Sequence, residues 1–166
     1  NEDNILANAL FGDGAAAVLV QAGDGRMQIE NYQSNIIPDG AADMAWSIGN
    51  FGFQMKLSKY VPSLLERGIK RFAEGLEQKF SLSEINHFAI HPGGKQILSK
   101  IETAFGINEG QNGHAHEVLK NFGNMSSVTI LYVLESVLND SSIKGKVLAM
   151  GFGPGLTLES LLIEKP

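Results

Sequence analysis

Cysteine is absent from all 166 residues. That absence removes disulfides, thiolate metal ligands and a cysteine nucleophile from within the chain. Basic runs are missing too: 13 Lys and Arg stand against 18 Asp and Glu, a formal net charge of −5, so the electrostatic footprint of a nucleic-acid binder is not there. No apolar run approaches the roughly 20 residues of a membrane span, and NEDNILANAL lacks the basic start of a signal peptide. Four histidines are present, but His87, His91, His114 and His116 follow no spacing that a zinc or di-metal site uses. His114 and His116, on either side of Ala115, read as solvated residues at a helix start. The expectation is a soluble, cytoplasmic protein with no nucleic-acid, membrane or metal partner.

What is present is enough for one folded domain over residues 1–166, since 43% of the residues are hydrophobic. The start has no capped first element and no methionine, and reads as a cut inside a longer protein. AAAVLVQ, Ala15 to Gln21, is short, apolar and partly β-branched, as a buried strand would be. MQIENYQSNII follows the turn Gly23 to Gly25 and predicts a second strand, paired with the first as a hairpin and ended by Pro38-Asp39-Gly40. DGAADMAWSIGNFGFQMKLS is expected to be a loop. In VPSLLERGIKRFAEGLEQKF, the recurrence of Val61, Leu64, Leu65, Ile69, Phe72, Leu76 and Phe80 predicts an amphipathic helix with Pro62 near its start. HFAIHP predicts a short buried strand, GGKQILSKIETAFG a helix, and EGQNGHAHEVLKNFG a loop and short helix ending at Gly123. A further helix is expected from about Met125 to Leu138, then strands VLAMGF and LTLESLLIE hinged at Gly153-Pro154-Gly155. Strands mixed with crossover helices imply a layered α/β domain, a mixed sheet covered by helices.

Few residues in this pattern can carry chemistry. His91 stands at the C-terminal end of its strand, where open α/β sheets place ligand-binding groups, and a neutral imidazole offers one donor and one acceptor. A histidine bonded to backbone is the plain alternative. Gly93 and Gly94 permit close approach of a ligand or of another backbone. Asn124 lies between a helix end and a helix start, so it can cap the helix with its oxygen or aim its amide N–H₂ at a substrate oxygen. Ser126 and Ser127 can serve the helix start if Asn124 is engaged elsewhere. GFGPG places Phe152 in a loop stiffened by Pro154. Trp46, Phe51, Phe53 and Met55 make an apolar patch suited to a core or a cavity wall. FGDGAAA lacks the G-x-G-x-x-G spacing and the lysine of a phosphate cradle.

Taken in order, LFGDGAAAVLV, HPGG, GNMSS and GFGPGLTLE resemble the C-terminal half of type III polyketide synthases, the chalcone and stilbene synthase family. The resemblance runs over nearly the whole chain and implies a thiolase-like fold. It implies a Cys-His-Asn acyltransferase site in which His91 and Asn124 match the family histidine and asparagine, while the cysteine belongs to an N-terminal half. It further places Gly93 along the coenzyme A arm and Gly151, Phe152, Gly153, Pro154 and Ser126 at the cavity. Met55 falls near a gatekeeper phenylalanine upstream of Val61-Pro62. The implied reaction is decarboxylation of malonyl-CoA and its condensation with an acyl-CoA starter, by a homodimer when full length, with coenzyme A thioesters as substrates and no cofactor. A ketoacyl synthase III-like single condensation and a non-catalytic thiolase-fold module are the alternatives.

Overall fold

The computed structural model describes residues 5, 8–50, 52–57, 61–79 and 81–166; some side chains within these ranges, including those of Trp46, Phe53, Met55 and residues 62–67, are not among those described. The chain forms β1 (Gln28–Ile36), β2 (Met44–Gly49), β3 (Gly52–Leu57), α1 (Val61–Glu77), β4 (His87–Ile90), α2 (Lys95–Phe105), α3 (Gly113–Phe122), α4 (Ser127–Asn139), β5 (Gly145–Gly153) and β6 (Thr157–Lys165).

One mixed sheet organises the domain, in the order β1-β6-β5-β4. β4 runs parallel to β5, with Ile90 beside Met150, while β6 is antiparallel to both β5 and β1. Val147, Leu148, Ala149 and Met150 are buried in succession, so both faces of β5 are covered, as expected of a strand that reads as a continuous apolar run. α4 packs on β4 and β5, α3 on β4, and α1 against α2. α1 supplies Val61, Ile69, Phe72 and Leu76 to the core, residues that share one face at helical spacing. Each such side chain contributes roughly 1.5–3 kcal/mol when fully buried. Gly106 closes α2 in the left-handed conformation, at φ 66°, which glycine adopts without a Cβ penalty. At the far end of the chain Lys165 is only 7% exposed. Its ammonium donates to the carbonyls of Val137, at 2.9 Å, and Asp140, groups that the end of α4 leaves without intrahelical partners.

Four expectations are corrected. AAAVLVQ is not a buried strand: residues 12–21 have no regular structure, and Val18, Leu19 and Val20 are 67%, 83% and 72% exposed. A strand exists only where its N–H and C=O groups find a neighbouring chain, and the described residues provide none here. MQIENYQSNII is indeed a strand, but β1 pairs with β6 and not with residues 15–21. The stretch expected as a loop contains the antiparallel hairpin β2–β3, in which Trp46 lies opposite Met55 and Ile48 opposite Phe53. Its signal was the alternation of Met44, Trp46 and Ile48, and of Phe53, Met55 and Leu57, on either side of Gly49 and Gly52. His114 and His116 are also not simply solvated. Their Nε2 atoms lie 3.1 Å from Asp140 and 2.7 Å from Glu102.

Candidate active site

β4 ends at Ile90, and His91 follows at the C-terminal edge of the sheet. The His91 amide extends the ladder by donating to the Met150 carbonyl at 2.8 Å, and the Gly93 amide folds back onto the His91 carbonyl at 2.9 Å. Its imidazole is buried, at 8% exposure. Burial, by disfavouring the charged ring, pushes its pKa from 6.5 down to about 4. The ring is therefore neutral at pH 7, with one N–H to donate.

Asn124 arrives from the other direction. α3 ends at Gly123, whose φ of 71° turns the chain toward α4 in a region glycine enters freely. The Asn124 backbone is then clamped by residues 10–12. Its amide donates to Leu10 at 2.9 Å, and its carbonyl accepts from Gly12 at 3.0 Å. A Cβ on Gly12 would lie 2.4 Å from the Phe122 carbonyl oxygen, so only glycine permits this approach. The glycine of FGDG thus serves a backbone clamp, consistent with its poor match to a phosphate cradle.

Asn124 does not cap α4, because the N-cap position falls to Ser126, which has no side-chain cap. Its Oδ1 accepts from the Ser126 amide at 2.8 Å, and its Nδ2 donates to the Gly93 carbonyl at 3.2 Å. With oxygen turned to the helix start, the second N–H of the same amide is the group a substrate oxygen can use. Ser126 is the residue that precedes α4, and it holds φ 59°, an uncommon value for a residue with a Cβ. Thr129 stabilises this turn: its hydroxyl accepts from Met125 and donates to the Ser126 carbonyl, both at 2.8 Å.

His91 and Asn124 line one cavity of about 330 Å³. Gly93, Ser126, Gly151, Phe152, Gly153 and Pro154 line it as well. A Cβ on Gly93 would sit 3.8 Å from His91 Nε2 and 3.2 Å from Ile97, so the missing side chain keeps the space beside the ring open. Met55 lies on β3, but its side chain, like the whole of Phe51, lies outside the described residues. Sequence reasoning missed Lys56, Thr157 and Glu159, all of which line the cavity. Thr157 and Glu159 were legible in principle, because Thr157 is opposite Gly153 and Glu159 opposite Gly151 in the β5–β6 hairpin and alternate residues share a face. Lys56 was hidden with the β2–β3 hairpin. Among the described residues, no group of three or more His, Asp and Glu is arranged to hold a metal.

The fold and the cavity define a layered α/β domain of the thiolase type, with a histidine and an asparagine brought together where β4 and α3 end. A sequence model of the chalcone and stilbene synthases, C-terminal domain, matches residues 28–165. The chain belongs to that family. Among solved structures it is similar to PKS-I from the brown alga Ectocarpus siliculosus, at 23% identity and a TM-score of 0.86, a match covering 100% of this chain and 48% of that one. At that identity the likeness shows the fold. The C-terminal type III polyketide synthase domain of Steely1, a type I/III hybrid from Dictyostelium, is 26% identical over 84% of this chain and 40% of that one, with a TM-score of 0.77. A type III pentaketide synthase from Neurospora crassa is 25% identical over 89% and 43%, with a TM-score of 0.76. The chain therefore spans about half the length of these structures or less.

Proposed function

We propose that this chain is the half of a type III polyketide synthase that supplies two oxyanion donors, the His91 imidazole and the Asn124 carboxamide, to a cysteine carried by an N-terminal half. The substrates are malonyl-CoA and an acyl-CoA starter, and the full-length enzyme is a homodimer. The observation that carries the reading is that both side chains line one cavity, and that the Ser126 amide and the Gly93 carbonyl fix which end of the Asn124 amide is the donor.

The chemistry follows from those donors. As the bond between the malonyl carbon and its carboxylate breaks, carbon dioxide leaves and the electron pair passes to the thioester carbonyl as an enolate. Two N–H groups directed at that oxygen stabilise the charge as it develops. The enolate carbon then attacks the starter thioester on the cysteine and expels the thiolate. A neutral His91 is the form that can donate without carrying charge into a buried site. Gly93 leaves room for the coenzyme A arm, and Phe152 and Pro154 border the space where the growing chain folds.

Loss of one oxyanion donor typically costs about 10²–10³ in rate. In the full-length enzyme Asn124→Ala is expected to lower malonyl-CoA decarboxylation by that factor, measured as carbon dioxide release. Near-normal decarboxylation in the variant would remove Asn124 from the mechanism.

A further inference from the structure

Asn112 occupies the N-cap position of α3 but forms no side-chain cap, although capping is the usual reason for an asparagine there. Its side chain, in a residue only 1% exposed, is turned elsewhere. Oδ1 accepts from the Ile90 amide at 3.3 Å, and Nδ2 donates to Glu102 Oε1 on α2 at 2.9 Å. The same carboxylate oxygen lies 2.7 Å from His116 Nε2. Beside it, Gln111 Nε2 donates to the carbonyl of Asn86, just ahead of β4, at 3.3 Å.

Among the described residues β4 is an edge strand, with β5 as its sheet neighbour. Because the His91 amide turns toward β5, the alternation of a parallel ladder turns the Ile90 amide toward the open edge. A buried amide without a partner is costly, and Asn112 takes the place of the missing strand. The same residue opens α3, the helix whose other end delivers Asn124. One side chain thus joins the residue before His91 to the element before Asn124, with Glu102 as the third point of attachment.

We propose that Asn112 is a positioning residue that sets the His91 ring against the Asn124 amide, with Glu102 as its anchor. This role rests on the reading of those two groups as oxyanion donors. Donors must converge on one oxygen at about 3 Å, and a displacement of about 1 Å can cost on the order of 10²-fold in rate.

The test uses the full-length enzyme, with steady-state malonyl-CoA decarboxylation and thermal unfolding measured on each variant. Asn112→Ala is expected to lower kcat by about 10- to 100-fold while KM stays within about threefold, because a misaligned donor pair weakens the transition state more than ground-state binding. Glu102→Ala loosens the same tie and lowers kcat in the same sense. Glu102→Gln keeps an acceptor for both Asn112 and His116 and retains activity. A folded Asn112→Ala enzyme with unchanged kcat overturns the proposal, as does a kcat that is equal in Glu102→Ala and Glu102→Gln. Should Asn112→Ala fail to fold, the Glu102 pair decides. His91→Ala and Asn124→Ala are measured alongside: if they retain decarboxylation the oxyanion reading itself falls, whereas if they lose it while Asn112→Ala and Glu102→Ala keep it, only the positioning role falls.

Discussion

Acid is expected to destabilise this chain through His91. The imidazole is neutral in the folded state down to about pH 4, while its ordinary value in the unfolded chain is 6.5. Between those values the unfolded chain binds the extra proton, so stability falls as the pH falls through that window and is fully present above it. From pH 7.5 to pH 4.5, the two pKa values give a loss of about 2.5 kcal/mol from this one group, at 1.36 kcal/mol per unit. Asp140 is held down to about 2, first by its hydrogen bonds from Ser142 and then by His114. Its depressed pKa contributes stability that is present above its unfolded value of 3.8 and lost only as the pH falls below that, so its window lies under the measured one. Urea unfolding of the chain and of His91→Gln, a variant that cannot titrate there, provides the assay. The wild-type chain is expected to lose about 2–3 kcal/mol more than the variant between the two pH values. Equal losses would show that the ring is not buried in its neutral form, and the argument for a neutral donor at the site would fall with it.

Two further outcomes check the scaffold around the site. Lys165→Met removes the donor to the Val137 carbonyl and one of two donors to that of Asp140, which also accepts from the Ile143 amide, and is expected to cost about 1–3 kcal/mol, read as a lower unfolding temperature; an unchanged transition would mean that the ammonium does not cap α4. Gly12→Ala forces a Cβ against the Phe122 carbonyl. Release of the clamp on Asn124 is expected to speed hydrogen exchange at the Asn124 amide, and unaltered protection would show that the clamp tolerates a side chain.

How much of this was legible in the sequence depended on the range of the interaction involved. α1, α2, α3, β4 and β5–β6 follow from local periodicity and from punctuation by Gly93, Gly106, Gly123 and Pro154, because a helix face or a hairpin is encoded by neighbours within a few residues. The β2–β3 hairpin was written in the same language and overlooked. The partner of β1 was not legible. Gln28 pairs with Glu164, and nothing near either residue names the other. Propensity failed at AAAVLVQ for the related reason that β-branched residues favour a strand without supplying its neighbour.

The chemistry-bearing residues divide along the same line. By itself the sequence determined that His91 and Asn124 stand at the ends of elements beside glycines, that no thiol is available in this chain, and which family its motifs resemble. Only the tertiary structure decided that Asn124 divides its amide between the Ser126 N–H and the Gly93 carbonyl, that His91 loses its charge to burial, and that Asn112 forgoes its helix to hold Ile90. Each of these depends on what lies across a gap of many residues. A side chain's type is fixed by the sequence, but its protonation and the direction of its hydrogen bonds are set by the neighbours that folding brings to it.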